Sequence, residues 1–285
     1  MPELPEVETI VRELQNSDLI GKKICDLIIY WPRTIQDSDV ANFRSNLIGQ
    51  KITHVYRRGK YIVFTLGSGH ALFIHLRMTG KFSISKDKNP ISSHERLQVH
   101  LSNGQILHYE DQRKFGKWSV IPDPDTKLKL LGLEPLSTEF TLNAFKNVLK
   151  NSSQQIKPFL LNQQHVAGIG NIYADEALWE AEIHPARKVN SLSSSEIKAL
   201  HAAIIKVLKQ GVSLMGTSLG SKQANYYSVN GHRGDNQSKL NVFRREGSAC
   251  PRCGQQVIKI KLAQRGTHLC PHCQIFESSR DKKKL

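Results

Sequence analysis

Pro2, Glu3, Pro5, Glu6 and Glu8 crowd the first eight residues of the chain. Carboxylates in a first helical turn meet the positive end of the helix dipole, and proline near the start is preset for helical φ, so the segment reads as a helix N-terminus. A second chemistry is open to the same residues. Removal of Met1 makes Pro2 a free secondary amine, which can condense with a masked aldehyde to a cationic iminium, and Glu3 beside it can shuttle protons. Near the other end, Cys250-Pro-Arg-Cys253 and Cys270-Pro-His-Cys273 offer two thiolates from each of two knuckles, enough for a tetrahedron around one zinc if a hairpin joins them. Four thiolates leave no position for water, so such a metal is structural. The competing reading, two redox pairs, is weaker because a redox pair more naturally occurs once. His268 and His272 read as bystanders, and Cys25, between Ile24 and Leu27, reads as a small buried side chain without function.

These residues need elements to hold them. Val7, Ile10, Val11 and Leu14 have the spacing of one helical face, which predicts an amphipathic helix over 5–15. From about Lys51 to Val120 the pattern changes to short β-rich runs, among them 61–66 and 71–76, separated by glycine-containing turns; this predicts a β-sandwich or barrel. Leu97, Val99 and Leu101 alternate before Ser102-Asn103-Gly104, a hairpin signal with 106–109 as the returning strand. Pro122 and Pro124 break the pattern, so a linker is expected over 121–136, with helices beyond it. Ser193 and Glu196 have capping-box spacing, Ile197, Leu200, Ile204 and Leu208 form one stripe, and Gly211 is the expected stop. The segment 215–239 has little periodicity, and a loop of that length is usually mobile or functional.

The chain has 285 residues, with 40 Lys and Arg against 25 Asp and Glu, a formal charge of +15 and a pI near 9.6. That excess favours a polyanionic partner, nucleic acid foremost, and the length suggests two domains. No apolar run approaches the roughly 20 residues of a membrane span, and the start lacks the pattern of a secretory signal, so a cytoplasmic protein without membrane partners is expected.

Further motifs connect the two ends: Arg58-Gly-Lys-Tyr61, His75-Leu-Arg-Met-Thr-Gly80, Asp111-Gln-Arg-Lys-Phe-Gly116, Gly168-Ile-Gly-Asn-Ile-Tyr-Ala-Asp-Glu-Ala-Leu178 and Gln264-Arg-Gly-Thr-His-Leu-Cys270. With the Pro-Glu start and the four cysteines, the sequence closely resembles the bacterial formamidopyrimidine-DNA glycosylases, bifunctional enzymes that excise oxidised purines. The resemblance implies an α+β fold. An N-terminal β-sandwich with flanking helices (1–133) would be followed by a helix-two-turn-helix domain (134–239) and a zinc-finger β-hairpin with a basic tail (240–285).

The activity implied is a base-excision glycosylase and abasic-site lyase. It would flip formamidopyrimidines or 8-oxoguanine out of double-stranded DNA, form a Schiff base on Pro2, and cleave the strand by β,δ-elimination. By the same resemblance Glu3 is the acid/base, Glu6 a supporting carboxylate, Lys60 a participant in the β step and Arg265 in the δ step. Met78, Arg113 and Phe115 match the trio that fills the space left by the extruded nucleotide, while His94, Lys157 and Asn171 match DNA contacts. One structural zinc on Cys250, Cys253, Cys270 and Cys273, a monomer and association with the nucleoid complete the expectation. Two alternatives stand: the sister glycosylase for oxidised pyrimidines, and a zinc-finger DNA-binding protein that has lost catalysis. Two departures are visible. Ser152 and Ser153 stand near a position that is basic in the family, and the loop Gly216-Thr-Ser-Leu-Gly-Ser221 lacks the family's arginine.

Overall fold

The structure, a computed structural model, describes residues 1–90, 92–220 and 224–276; the basic tail Lys282–Lys284, expected as a salt-sensitive tether to DNA, lies outside the described residues. The backbone falls into two compact units, 1–130 with 211–237, and 131–210 with 238 onward.

The first unit runs through α1 (Leu4–Gln15), β1 (Ile24–Ile29), α2 (Val40–Leu47), β2 (Ile52–Arg58), β3 (Tyr61–Leu66), β4 (Ala71–His75), β5 (Gly80–Ser85), β6 (Glu95–Leu101), β7 (Ile106–Asp111), β8 (Lys117–Ile121) and α3 (Pro124–Leu128). Its strands form two antiparallel four-stranded sheets, ordered β1-β6-β7-β5 and β2-β3-β4-β8. The predicted faces are the buried ones. Val7, Ile10, Val11 and Leu14 of α1 join Leu27, Phe64, Phe82, Tyr109 and Trp118 from both sheets in one core, as inward-facing alternate residues of a sandwich should.

Two elements, β1 and α2, have no counterpart in the sequence reading. In β1, an irregularity in register between Ile24 and Asp26 breaks the alternation: Ile24 and Leu27 are buried while Cys25 is exposed, correcting its assignment to the interior. α2 starts where Asp39 accepts the Asn42 N–H at 2.7 Å, and it buries only Phe43 and Leu47. The expected linker is also partly structured, since Asp123 caps α3 and Pro124 opens it.

The second unit contains α4 (Leu142–Leu149), α5 (Ile156–Leu161), α6 (Asn171–Glu180), most of α7 (Ser194–Ser213), β9 (Ile258–Leu262) and β10 (Arg265–Leu269). The capping box of α7 is formed: the Glu196 N–H donates to Ser193 Oγ at 3.2 Å, and the Ser193 N–H to Glu196 Oε2 at 2.6 Å. Gly211 does not stop this helix, which continues to Ser213. The stop is Gly216, at φ +85°, whose N–H closes on the Gly211 carbonyl at 2.7 Å.

Residues 211–237 group with the first unit, whereas the sequence reading places them with the helices that precede them. The cause is packing. Tyr226 and Val229 enter the first unit's core, and the Asn230 N–H donates to Glu13 at 2.9 Å. Among the described residues no helix is long and apolar enough to cross a membrane.

Candidate active site and metal centre

In the first unit, Pro2 and Glu3 are buried at the mouth of α1. Glu6 fixes them. Its Oε2 accepts the Glu3 N–H at 2.7 Å in a reciprocal capping box, and its Oε1 accepts the Thr217 N–H at 2.7 Å. The acids at the start therefore cap a helix and build a site at once. Gly216 approaches so closely that a Cβ there would lie 2.8 Å from Glu6 Cγ, so the left-handed turn and the close contact both require glycine.

Lys60 follows Gly59 (φ +57°) in the tight turn between β2 and β3, and is only 6% exposed. α1 holds that turn in place through Arg57, whose Nε pairs with Glu8 Oε2 at 2.9 Å while its Nη1 donates to the Gly59 carbonyl at 3.2 Å. Burial pushes the Glu8 pKa upward, but Arg57 and Arg12 outweigh it and hold the carboxyl below its ordinary value. Nearby, burial pulls the His75 imidazole down to about 3, helped by the positive charges of Arg77 and Lys60. It is neutral at working pH, with Nδ1 accepting the Arg77 N–H at 3.0 Å.

Met78, Arg113 and Phe115 come together at the surface. Arg113 donates to Met78 Sδ at 2.8 Å and lies 4.7 Å above the Phe115 ring, while Met78 and Phe115 remain 40% and 48% exposed. Large apolar side chains held out in water are poor packing residues and good wedges. The turn that carries Arg113 and Phe115 is braced by Asp111, which accepts both the Arg113 N–H (3.2 Å) and the Gly116 N–H (2.7 Å). His94 is exposed and helps line a cleft of about 320 Å³ with Thr79, Lys81, Glu110, Asn225 and Tyr227.

In the second unit, Asn171 is the first residue of α6 after the cap Gly170, and its Nδ2 donates to the Gly266 carbonyl at 2.9 Å. Arg265, the neighbour of Gly266, is exposed at the start of β10. Lys157 is 1% exposed and its ammonium is turned inward, 2.6 Å from Asp175 Oδ1 and donating to Thr267 Oγ1 at 2.8 Å and the Gly266 carbonyl at 3.1 Å.

The four cysteine sulfurs lie within 4.8 Å of one another. Zinc–sulfur bonds near 2.3 Å put tetrahedral sulfurs about 3.8 Å apart, and the Cys250–Cys273 and Cys253–Cys270 separations are 3.9 and 3.5 Å. The donor set fits one zinc. Trp179 packs against it, with Nε1 donating to Cys250 Sγ at 3.4 Å.

Sequence reasoning missed Asp175 and Glu176. The available signal was two adjacent acids flanked by Ile172, Tyr173 and Ala174 on one side and Ala177, Leu178 and Trp179 on the other, where a charge must have a partner. Glu176 accepts N–H groups from Asn241, Val242 and Phe243 at 2.8 to 2.9 Å, while Asp175 accepts the His268 N–H at 2.9 Å. His268 thus avoids the metal and is engaged by α6 instead.

Three family models match consecutive parts of the chain: the formamidopyrimidine-DNA glycosylase N-terminal domain at 1–118, the formamidopyrimidine-DNA glycosylase H2TH domain at 131–223, and the zinc finger found in FPG and IleRS at 247–275. The chain is 44% identical to the formamidopyrimidine-DNA glycosylase of Protochlamydia amoebophila, over 96% of this chain and 99% of the relative. It is 41% identical to that of Enterococcus faecalis, over 99% of this chain and 100% of the relative. Among solved structures, Lactococcus lactis Fpg in complex with DNA containing N7-benzyl-Fapy-dG is similar with a TM-score of 0.87 and 40% identity, covering 96% of this chain and 100% of the other. The same protein with abasic-site DNA gives 0.87 and 39%, with the same coverage.

Proposed function

Given that the chain belongs to the formamidopyrimidine-DNA glycosylase family, we propose that Pro2, exposed as an amine by loss of Met1, is the nucleophile of its reaction. The protein is a base-excision-repair DNA glycosylase with the family's abasic-site lyase activity and one structural zinc. Its substrate is double-stranded DNA carrying oxidised purines or abasic sites. A damaged base must be turned out of the stack before an amine can reach its sugar, at a cost of a few kcal/mol. Met78 and Phe115 then fill the vacancy, and Arg113 hydrogen-bonds the orphaned base.

Pro2 nitrogen forms a bond to the anomeric carbon as the bond to the base breaks. Glu3 delivers a proton to open the sugar, which leaves the iminium. That cation accepts the electrons released when the C2′ proton is lost, so the 3′ phosphate departs; this β step is assigned to Lys60. Arg265 serves the second, δ, elimination of the 5′ phosphate. His94 and the Gly170–Asn171 turn contact the DNA backbone. The functional regions are 1–133 for chemistry, joined by residues 211–237 that pack with them, the helices from 134 for DNA engagement, and 240–285 for the finger and tail. The protein acts as a monomer, in the cytoplasm on nucleoid DNA.

The observation that carries this reading is the grip of Glu6 on both the Glu3 and Thr217 backbone, which holds Pro2 and Glu3 at the start of α1. A panel of duplexes with formamidopyrimidine, 8-oxoguanine and oxidised-pyrimidine lesions tests it. Faster excision of the purine-derived lesions is expected; dominant excision of oxidised pyrimidines would assign the chain to the sister activity, and binding without cutting would remove the catalytic reading.

A further inference from the structure

β9 and β10 are joined at Ala263 and Gln264, both at positive φ, and Arg265 opens the returning strand. Such a two-residue turn is stiff within the hairpin but has no means of fixing where the whole hairpin points. Two helices supply that. From α5, Lys157 Nζ donates to the Gly266 carbonyl at 3.1 Å and to Thr267 Oγ1 at 2.8 Å; from α6, Asn171 Nδ2 donates to the same carbonyl at 2.9 Å. Asp175 completes the frame one turn along α6. Its Oδ1 lies 2.6 Å from Lys157 Nζ, and its Oδ2 accepts the His268 N–H at 2.9 Å and lies 3.1 Å from His268 Nδ1. Consecutive residues of β10, from Gly266 to His268, are therefore tied to α5 and α6, immediately after the arginine.

Lys157 and Asp175 are both essentially buried, so this pair cannot exchange its partners for water. A buried pair is weak support for stability but well suited to fixing one geometry, because every alternative arrangement strands a charge.

We propose that Asp175 and Lys157 are positioning residues for the second elimination: they set the orientation of the strand that carries Arg265. This rests on the reading of Arg265 as a participant in the δ step. A misplacement near 1 Å costs up to about 10²-fold in a geometry-dependent step, so partition between the products of one elimination and of two is the sensitive readout. A general loss of folding would lower both in parallel.

The test uses full-length, zinc-loaded protein, with Asp175→Asn and the double variant Lys157→Met with Asp175→Asn, which removes both charges together and keeps the interior neutral should the single variant fold poorly. On abasic-site duplex, with zinc content and folding verified, the ratio of δ to β product should fall at least about tenfold, while Asp175→Asn still gives the borohydride-trapped adduct. A ratio unchanged in folded, zinc-loaded variants would overturn the proposal. Absence of any trapped adduct from wild-type protein would instead overturn the reading of the reaction itself.

Discussion

His75 shows how the residues around Lys60 constrain each other. Burial lowers its pKa from 6.5 to about 3, and the neighbouring cations Arg77 and Lys60 act in the same direction. The unfolded chain takes up this proton near pH 6.5, whereas the folded chain resists it until about 3. The stabilising contribution is therefore complete above 6.5 and is lost as pH falls toward 3, at up to about 1.4 kcal/mol per pH unit. Denaturant titrations at pH 7 and pH 5 should show that decline, with a shallower one in His75→Gln; parallel pH dependence in the two proteins would contradict the assignment. At this scale the sequence is most legible where chemistry demands a residue type, as with Pro2, Glu3 and the four cysteines. It is least legible where a partner is distant in sequence. Lys157 looks like any solvated lysine until α6 brings Asp175 to within 2.6 Å, and Cys25 looks buried until the irregularity in β1 turns it outward.

Among the elements, α1 and the β6–β7 hairpin could be read from periodicity because one face of each packs on a single core. β1 and α2 could not, since they bury so few residues that no period is established. The loop after α7 lacked period for a different reason: its order is made by polar pairs. Thr217 and Ser218 are buried, Ser218 Oγ donates to the Tyr226 carbonyl at 2.8 Å, and the Gly234 N–H donates to Ser218 Oγ at 2.9 Å. The family's arginine is missing from this braced loop, and weaker retention of 8-oxoguanine than of formamidopyrimidine is the expected consequence. Single-turnover excision of the two lesions from matched duplexes checks it; an undiminished preference for 8-oxoguanine would count against it.

For the whole molecule, charge and metal are linked. Residues 240–285 carry ten of the Lys and Arg against three acids, in the same region as the four cysteines. Zinc fixes the finger whose hairpin presents Arg265, and a structural site of this kind contributes folding free energy outright. Chelation should therefore lower DNA affinity and abolish δ product together, measured by titration and product analysis after zinc content is confirmed at zero. Full activity in verified zinc-free protein would contradict it. The central claim, that the amine of Pro2 does the chemistry, is tested most directly by borohydride reduction on abasic-site DNA followed by mass spectrometry of the adduct. The expected result is one DNA remnant on an N-terminal peptide that begins at Pro2, with Met1 gone and no adduct from Pro2→Gly carrying a blocked amino terminus. An adduct on a lysine, or on a chain that retains Met1, would contradict it.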